Sequence, residues 1–198
     1  MRVLFIDGNG HKDSVLYKGI EKCRNCLINE QIDSDVISLK EDIHPCTACG
    51  KCIKKRRCIF SDAVNEVIDQ ADLYDAFIVA SDVFFSEPDK KVIEFLNRLF
   101  RCGNERMAHK VGAVMLYARN KSYKNAYTML NDYFYQADMP VITSSDCFCI
   151  HEDDDTDMET MHKLAQYMSW MLKSIEAGKE KGLIQPMDIP GKITDFTR

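Results

Sequence analysis

Several features that would announce a function are missing from this chain. No apolar run approaches the roughly 20 residues of a membrane-spanning helix. The opening MRVLFIDGNG carries one arginine, a short apolar run and no small-residue cleavage site, so it reads as a first strand, not a secretion signal. Basic residues are in deficit: 26 Lys and Arg face 31 Asp and Glu, a formal net charge of -5. That balance argues against a general nucleic-acid binder, which needs a basic surface. There is no nucleophile elbow, no Walker-type phosphate loop, no internal repeat and no low-complexity tract. His44, His109, His151 and His162 show no spacing that suggests a triad or a metal site. The expectation is a cytoplasmic protein with no membrane or nucleic-acid partner.

What is present is ordered α/β patterning over 198 residues, a length that suits one core. Continuous apolar runs at Val3 to Ile6, Val36 to Leu39, Ala76 to Ala80, Val111 to Leu116 and Met139 to Thr143 read as buried parallel strands. Between them lie helical stripes. One carries Leu16, Ile20, Cys23 and Leu27; the next, capped by Ser61 or Asp62, carries Val64, Val67, Ile68 and Ala71. Asp89 opens a helix with Val92, Phe95, Leu96 and Leu99 inward, and Tyr123 to Phe134 trace another. Thr156 and Glu159 form a capping box before a helix whose Met158, Met161, Met168 and Met171 read as core. The fold class is therefore α/β, a doubly wound five-stranded parallel sheet with helices on both faces. Residues 1–182 form the domain, with a cysteine-rich loop at 44–60, and residues 183–198 form an extended tail.

Ligands of such sheets bind beyond the carboxyl ends of the strands. The loops on that edge include Asp7 to Ser14, Glu41 to Ser61, Ser81 to Pro88, Tyr117 to Ser122 and Ser144 to Asp155. Cys147 and Cys149 alternate at a strand end, so at most one of them should face the core.

Nine cysteines, an odd count that leaves at least one outside any full set of disulfides, include four crowded into HPCTACGKCIKKRRC. In a reducing compartment such a cluster is more often metal-binding or catalytic than disulfide-bonded. The spacing of Cys46, Cys49, Cys52 and Cys58 is C-x2-C-x2-C-x5-C. A compact C-x2-C-x2-C run is an iron–sulfur ligand pattern, which makes a [4Fe–4S] cluster the leading reading. Zinc would need a second knuckle, for which Cys23 and Cys26 are candidates, and plain thiols are the third possibility. Lys51, Lys54, Lys55, Arg56 and Arg57 would offset the negative charge of a cluster, or simply form a solvated basic loop.

With fold and cysteines placed, the chain resembles the iron–sulfur flavoproteins, of the flavodoxin-like group that also holds NAD(P)H-dependent FMN and quinone reductases. The resemblance runs through VLFIDGNG, PCTACGKC with CIFSD, SDVFFSEPDKKVIEFLNRL and the terminal TDFTR. It implies FMN at the carboxyl edge. The phosphate would sit on Gly8, Asn9, Gly10, His11, Lys12 and Ser14, where Asn9, Gly10 and His11 stand in place of the serine, proline and arginine of GSPRxxGNT. Ser81, Asp82, Val83, Phe84, Phe85 and Ser86 would meet the isoalloxazine, and Tyr117 and Arg119 would add stacking or phosphate contacts. It further implies a redox flavoprotein passing electrons between the cluster and FMN, a homodimer or tetramer, and NAD(P)H or an acidic ferredoxin-like protein as donor. Two alternatives stand beside it: an NAD(P)H-dependent FMN or quinone reductase with structural cysteines, and a flavodoxin-like binding module that has lost FMN.

Overall fold

The chain begins with β1 (Arg2–Asp7), whose last five residues are all buried, as a strand covered on both faces must be. It turns into α1 (Val15–Asn29), capped by Ser14, whose side chain accepts a hydrogen bond from the Tyr17 N–H. β2 (Asp33–Ser38) follows, then the cysteine loop with the short α2 (Lys51–Lys55) and α3 (Ala63–Gln70), capped by Asp62. β3 (Ala76–Phe84), the two-residue β4 (Glu87–Pro88) and α4 (Lys90–Met107) come next, with Asp89 as the cap of α4. β5 (Val111–Tyr117), α5 (Lys124–Gln136), β6 (Val141–Ile142), β7 (Cys149–Ile150) and α6 (Asp155–Glu180) complete the order. The structure, a computed structural model, describes residues 1–120 and 122–186. Most of the expected tail, including TDFTR, and Lys121 of the third loop lie outside the described residues.

The sheet runs β2-β1-β3-β5-β6, with every pair on that path parallel. Alternation splits the core into two layers. Leu4 and Ile6 of β1 join Phe77, Val79, Val114 and Leu116 against α3, α4 and α5. Val3 and Phe5 join Ile78, Met115 and the methionines of α6 against α1 and α6. Helices thus cover both faces, and β1 and β3 meet where the strand order reverses. Among the described residues no helix is long and apolar enough to cross a membrane.

Among the described residues seven strands stand where five were expected, for two local reasons. β4 is a brief antiparallel return onto the end of β3, at Val83 and Phe84. The fifth strand is broken: β6 pairs with β5 at Gly112 and Ala113, and β7 pairs with it again at Leu116 and Tyr117. The intervening turn, with Cys147 and Phe148 in left-handed conformation, folds both neighbouring cysteines inward. Cys147 is 8% and Cys149 3% exposed, so the expected inward–outward alternation fails there. The cap of α6 also differs: Asp154, not Thr156, accepts from the Asp157 N–H at 2.8 Å. Asp157 is then turned back to accept from the His151 and Glu152 N–H groups, both at 2.6 Å, which starts the helix early.

Candidate functional site

The cysteine loop leaves β2 over the carboxyl edge and returns through α2 and α3. Its path needs unusual backbone: Ala48, Gly50 and Arg56 are all left-handed, with φ of 52°, 68° and 50°. At a non-glycine residue this costs on the order of 1 kcal/mol, so the surrounding contacts must hold the shape. Two side chains supply them. Asn65 of α3, buried, accepts from the Cys58 N–H at 2.9 Å and donates to the Cys58 carbonyl at 3.0 Å and the Phe60 carbonyl at 2.7 Å. Arg98 of α4, 1% exposed, grips the same loop from below.

The Arg98 guanidinium uses every face. It forks onto Asp62, with Nη1 at 2.6 Å and Nη2 at 2.8 Å from the two carboxylate oxygens. Nη1 also reaches the His44 carbonyl at 3.2 Å and Nη2 the Phe60 carbonyl at 3.5 Å. Nε donates to Cys58 Sγ at 3.3 Å. The plane lies 5.0 Å from the Phe60 ring, which is itself stacked on His44 at 3.9 Å. One cation therefore ties both ends of the cysteine loop to α4.

Cys46, Cys49, Cys52 and Cys58 all line one cavity, together with Arg98, Arg101 and Cys102 of α4. The thiols differ in setting: Cys46 and Cys49 are exposed, Cys58 is half-buried, and Cys52 and Cys102 are buried. The Cys49 thiol is drawn below the ordinary thiol range, mainly by a hydrogen bond from the Lys51 N–H. Burial pushes the Cys102 thiol up, and neighbouring Cys52 and Cys58 push it further. Arg101 Nε is buried and has no hydrogen-bond partner among the described residues.

Among the described residues no three His, Cys, Asp or Glu side chains close on a point as ligands of a single ion do. A cube sets no such requirement, because each thiolate binds a different iron. Four thiols on one cavity, with two guanidinium groups beneath, fit the charge and ligand type of an iron–sulfur cluster. The basic run expected to offset that charge is partly engaged elsewhere: Arg56 pairs with Glu105 at 2.6 Å and Arg57 with Asp69. Arg98 and Arg101 face the thiols instead. Sequence reading passed over them, although Arg98 sits on the inward stripe of α4 between Phe95 and Cys102, an odd place for a cation.

The other loops of the edge are built differently. At the end of β1 the Asp7 carboxylate is 0% exposed. It accepts from the Asn9 N–H at 3.0 Å, the Gly10 N–H at 3.3 Å and the Ser38 hydroxyl at 2.8 Å. The His11 N–H goes to Asn9 Oδ1 at 3.2 Å, and Ser14 spends its hydroxyl on the helix cap. Gly8 is required, since a Cβ there would lie 2.2 Å from Val92 Cγ2 and 2.8 Å from the Ala80 carbonyl. The turn is thus closed on itself around an anion of its own. His11 and Lys12 stand exposed at its rim.

Asn9 Nδ2 donates to Asp82 Oδ2 at 2.5 Å, which joins the first and second loops. Asp82 is buried, and its carboxyl is raised, first by burial, then by the charges of Asp89 and Asp7, against the Asn9 hydrogen bond. Ser81 is occupied internally, donating to the Asp82 carbonyl and accepting from the Asp89 N–H. Val83 is half-buried; beyond it Phe84 is exposed, and Phe85, 99% exposed, and Ser86 form a left-handed apex. Arg119 is exposed, with Nε 3.3 Å from the Tyr117 hydroxyl. Of the residues expected to hold a flavin, Asn9 and Asp82 are in contact, as are Tyr117 and Arg119. Phe84 and Phe85 offer bare aromatic surface beside them.

The loop donors that would receive a phosphate at Asn9, Gly10 and His11 are spent, and a buried carboxylate stands behind them. Those three donors are not available to a phosphate in this arrangement. The aromatic surface of the second loop remains compatible with a flat ring.

The family described as NADPH-dependent FMN reductase matches residues 1–153. An iron–sulfur flavoprotein of Methanosarcina thermophila is 23% identical over 191 residues, covering 91% of this chain and all of that protein. Among solved structures, a flavodoxin from the Archaea superposes with a TM-score of 0.62 at 16% identity, covering 87% of this chain and 99% of that one. An NADH:FMN oxidoreductase in its apo form gives 0.61 at 16% identity, covering 86% and 89%. These likenesses establish a flavodoxin-like fold.

Proposed function

The chain belongs to the NADPH-dependent FMN reductase family and is an oxidoreductase of that group, and from that premise we propose that it carries a [4Fe–4S] cluster on Cys46, Cys49, Cys52 and Cys58. In this reading it is a redox protein that exchanges single electrons between the cluster and FMN on the same sheet edge. The observation that carries the proposal is the convergence of the four spaced cysteines on one cavity above Arg98 and Arg101. A cofactor supplies the electron chemistry. The protein supplies the ligands, the charge balance and partial exclusion of water.

The flavin in this reading is held through its ring, at Ser81 to Ser86 and beside Tyr117 and Arg119. The first loop, from Gly8 to Ser14, would meet a phosphate only at its rim, through His11 and Lys12. The same reading includes a homodimer or tetramer and NAD(P)H or an acidic ferredoxin-like protein as donor. Exposed Lys51, Lys54 and Lys55 beside the cysteines give such a partner a positive face.

One observation favours a second reading. The Asp7 carboxylate inside the first loop suits a flavodoxin-like redox module that keeps the cluster and has given up tight FMN binding. The experiment that separates the two is an anaerobic visible spectrum of the purified chain with iron, sulfide and flavin quantified. About four iron and one flavin per chain support the first reading, since the assignment is one [4Fe–4S] cluster and one FMN. Iron without flavin selects the second, and flavin without iron refutes the cluster.

A further inference from the structure

We infer that Arg98 is a positioning residue that aims one N–H at the sulfur of a cluster ligand, Cys58, and thereby sets the reduction potential of the cluster. The inference rests on the cluster reading above and deepens it. Arg98 sits on α4, a helix outside the cysteine loop, and is almost fully buried. Its charge has a counter-ion already: Asp62 takes both outer nitrogens, at 2.6 and 2.8 Å. The carbonyls of His44 and Phe60 take the remaining outer positions. What is left over is Nε, and it points at Cys58 Sγ, at 3.3 Å.

That division of labour has a consequence. Hydrogen bonds to ligand sulfurs stabilise the more reduced, more negative state of an iron–sulfur cluster and raise its potential. Burial makes the effect of one donor larger than it would be in water. Because Asp62 neutralises most of the cation, the thiolate feels mainly the aimed N–H. Lysine cannot reproduce this arrangement, since one ammonium cannot hold a carboxylate in a fork and reach a sulfur on its other side.

Two substitutions with opposite expected signs test the idea on the intact chain, reconstituted anaerobically. In Arg98→Lys the ion pair to Asp62 persists while the donor to Cys58 is lost. The midpoint potential then moves to more negative values, and iron release to a chelator quickens about tenfold, the low end for a hydrogen bond to a charged group. In Asp62→Asn the side chain still caps α3, but the guanidinium charge is no longer balanced, so the potential moves to more positive values. Loss of packing alone would move both variants the same way. Opposite shifts support the inference, and a lysine variant that fails to fold leaves the Asp62→Asn shift to decide it. Potentials that are unchanged, or that move in one direction together, overturn it. A wild-type chain that takes up no iron overturns the cluster reading and this role with it; a loaded wild type with unshifted variants overturns only the role of Arg98.

Discussion

The cysteine loop and the loop after β1 lie on the same edge of one sheet, yet each is built around a buried charge of opposite sign. Beneath the cysteines, Arg98 is 1% exposed and directs a donor outward at a sulfur. Beneath the first loop, Asp7 is 0% exposed and draws the backbone donors inward. Topology makes both loops candidate sites, but the sign of the charge below decides what each can accept. A cation under thiols favours an anionic cluster. A carboxylate under a turn disfavours a second anion there, because the Asn9, Gly10 and His11 donors are engaged and the charges repel.

The comparison can be broken most sharply at the cysteines. Cys49→Ser should abolish the cluster spectrum, whereas Cys102→Ala, which removes a buried thiol outside the ligand set, should leave iron per chain unchanged. Equal iron in wild type and Cys49→Ser would refute the assignment. For the first loop, Asp7→Asn keeps an acceptor for Asn9 and Gly10 but removes the charge. FMN affinity should rise about tenfold, or about 1.4 kcal/mol, while riboflavin affinity stays constant. Fluorescence titration of both flavins reads this directly, and an unchanged ratio would show that Asp7 does not guard the loop.

Smaller effects probe the supports. Asn65→Ala deletes three hydrogen bonds around Cys58 and Phe60 and should cost about 2 kcal/mol, a fall of about 6 °C in Tm. A calorimetric scan with no shift would mean that the loop is held by Arg98 alone. Asp82→Asn should act in the opposite direction. The Asp82 carboxyl is raised in the fold above the ordinary aspartate range, first by burial, so its ionised form opposes folding at neutral pH. Folding binds the proton more tightly, so stability falls as pH rises from the unfolded value through the folded one. Removing the charge should therefore raise Tm by about 2 °C at pH 7, with the gain vanishing below about pH 4. A gain that persists at pH 3 would point to packing, not charge.

Much of the architecture was readable from particular residues. Val3 to Ile6 and Ala76 to Ala80 are apolar throughout, a pattern that only a strand covered on both faces tolerates. Ser14, Asp62 and Asp89 cap their helices as their side-chain chemistry suggests. The cysteine spacing brought four thiols to one cavity. Other features depend on contacts between segments far apart in the chain. The fifth strand is broken because β5 accepts partners at two separate points, which no local periodicity reports. The Asp154 cap prevailed over Thr156 because Asp157 was needed to bind the His151 and Glu152 N–H groups.

By itself, then, the order of residues determined the doubly wound sheet, the edge on which ligands meet it and the thiols grouped there, because hydrophobic period and cysteine spacing are local properties. Only the tertiary structure decided which charge lies under each loop. Arg98 meets Cys58 across 40 positions and Asp82 meets Asn9 across 73, and such encounters exist only once the strands have paired.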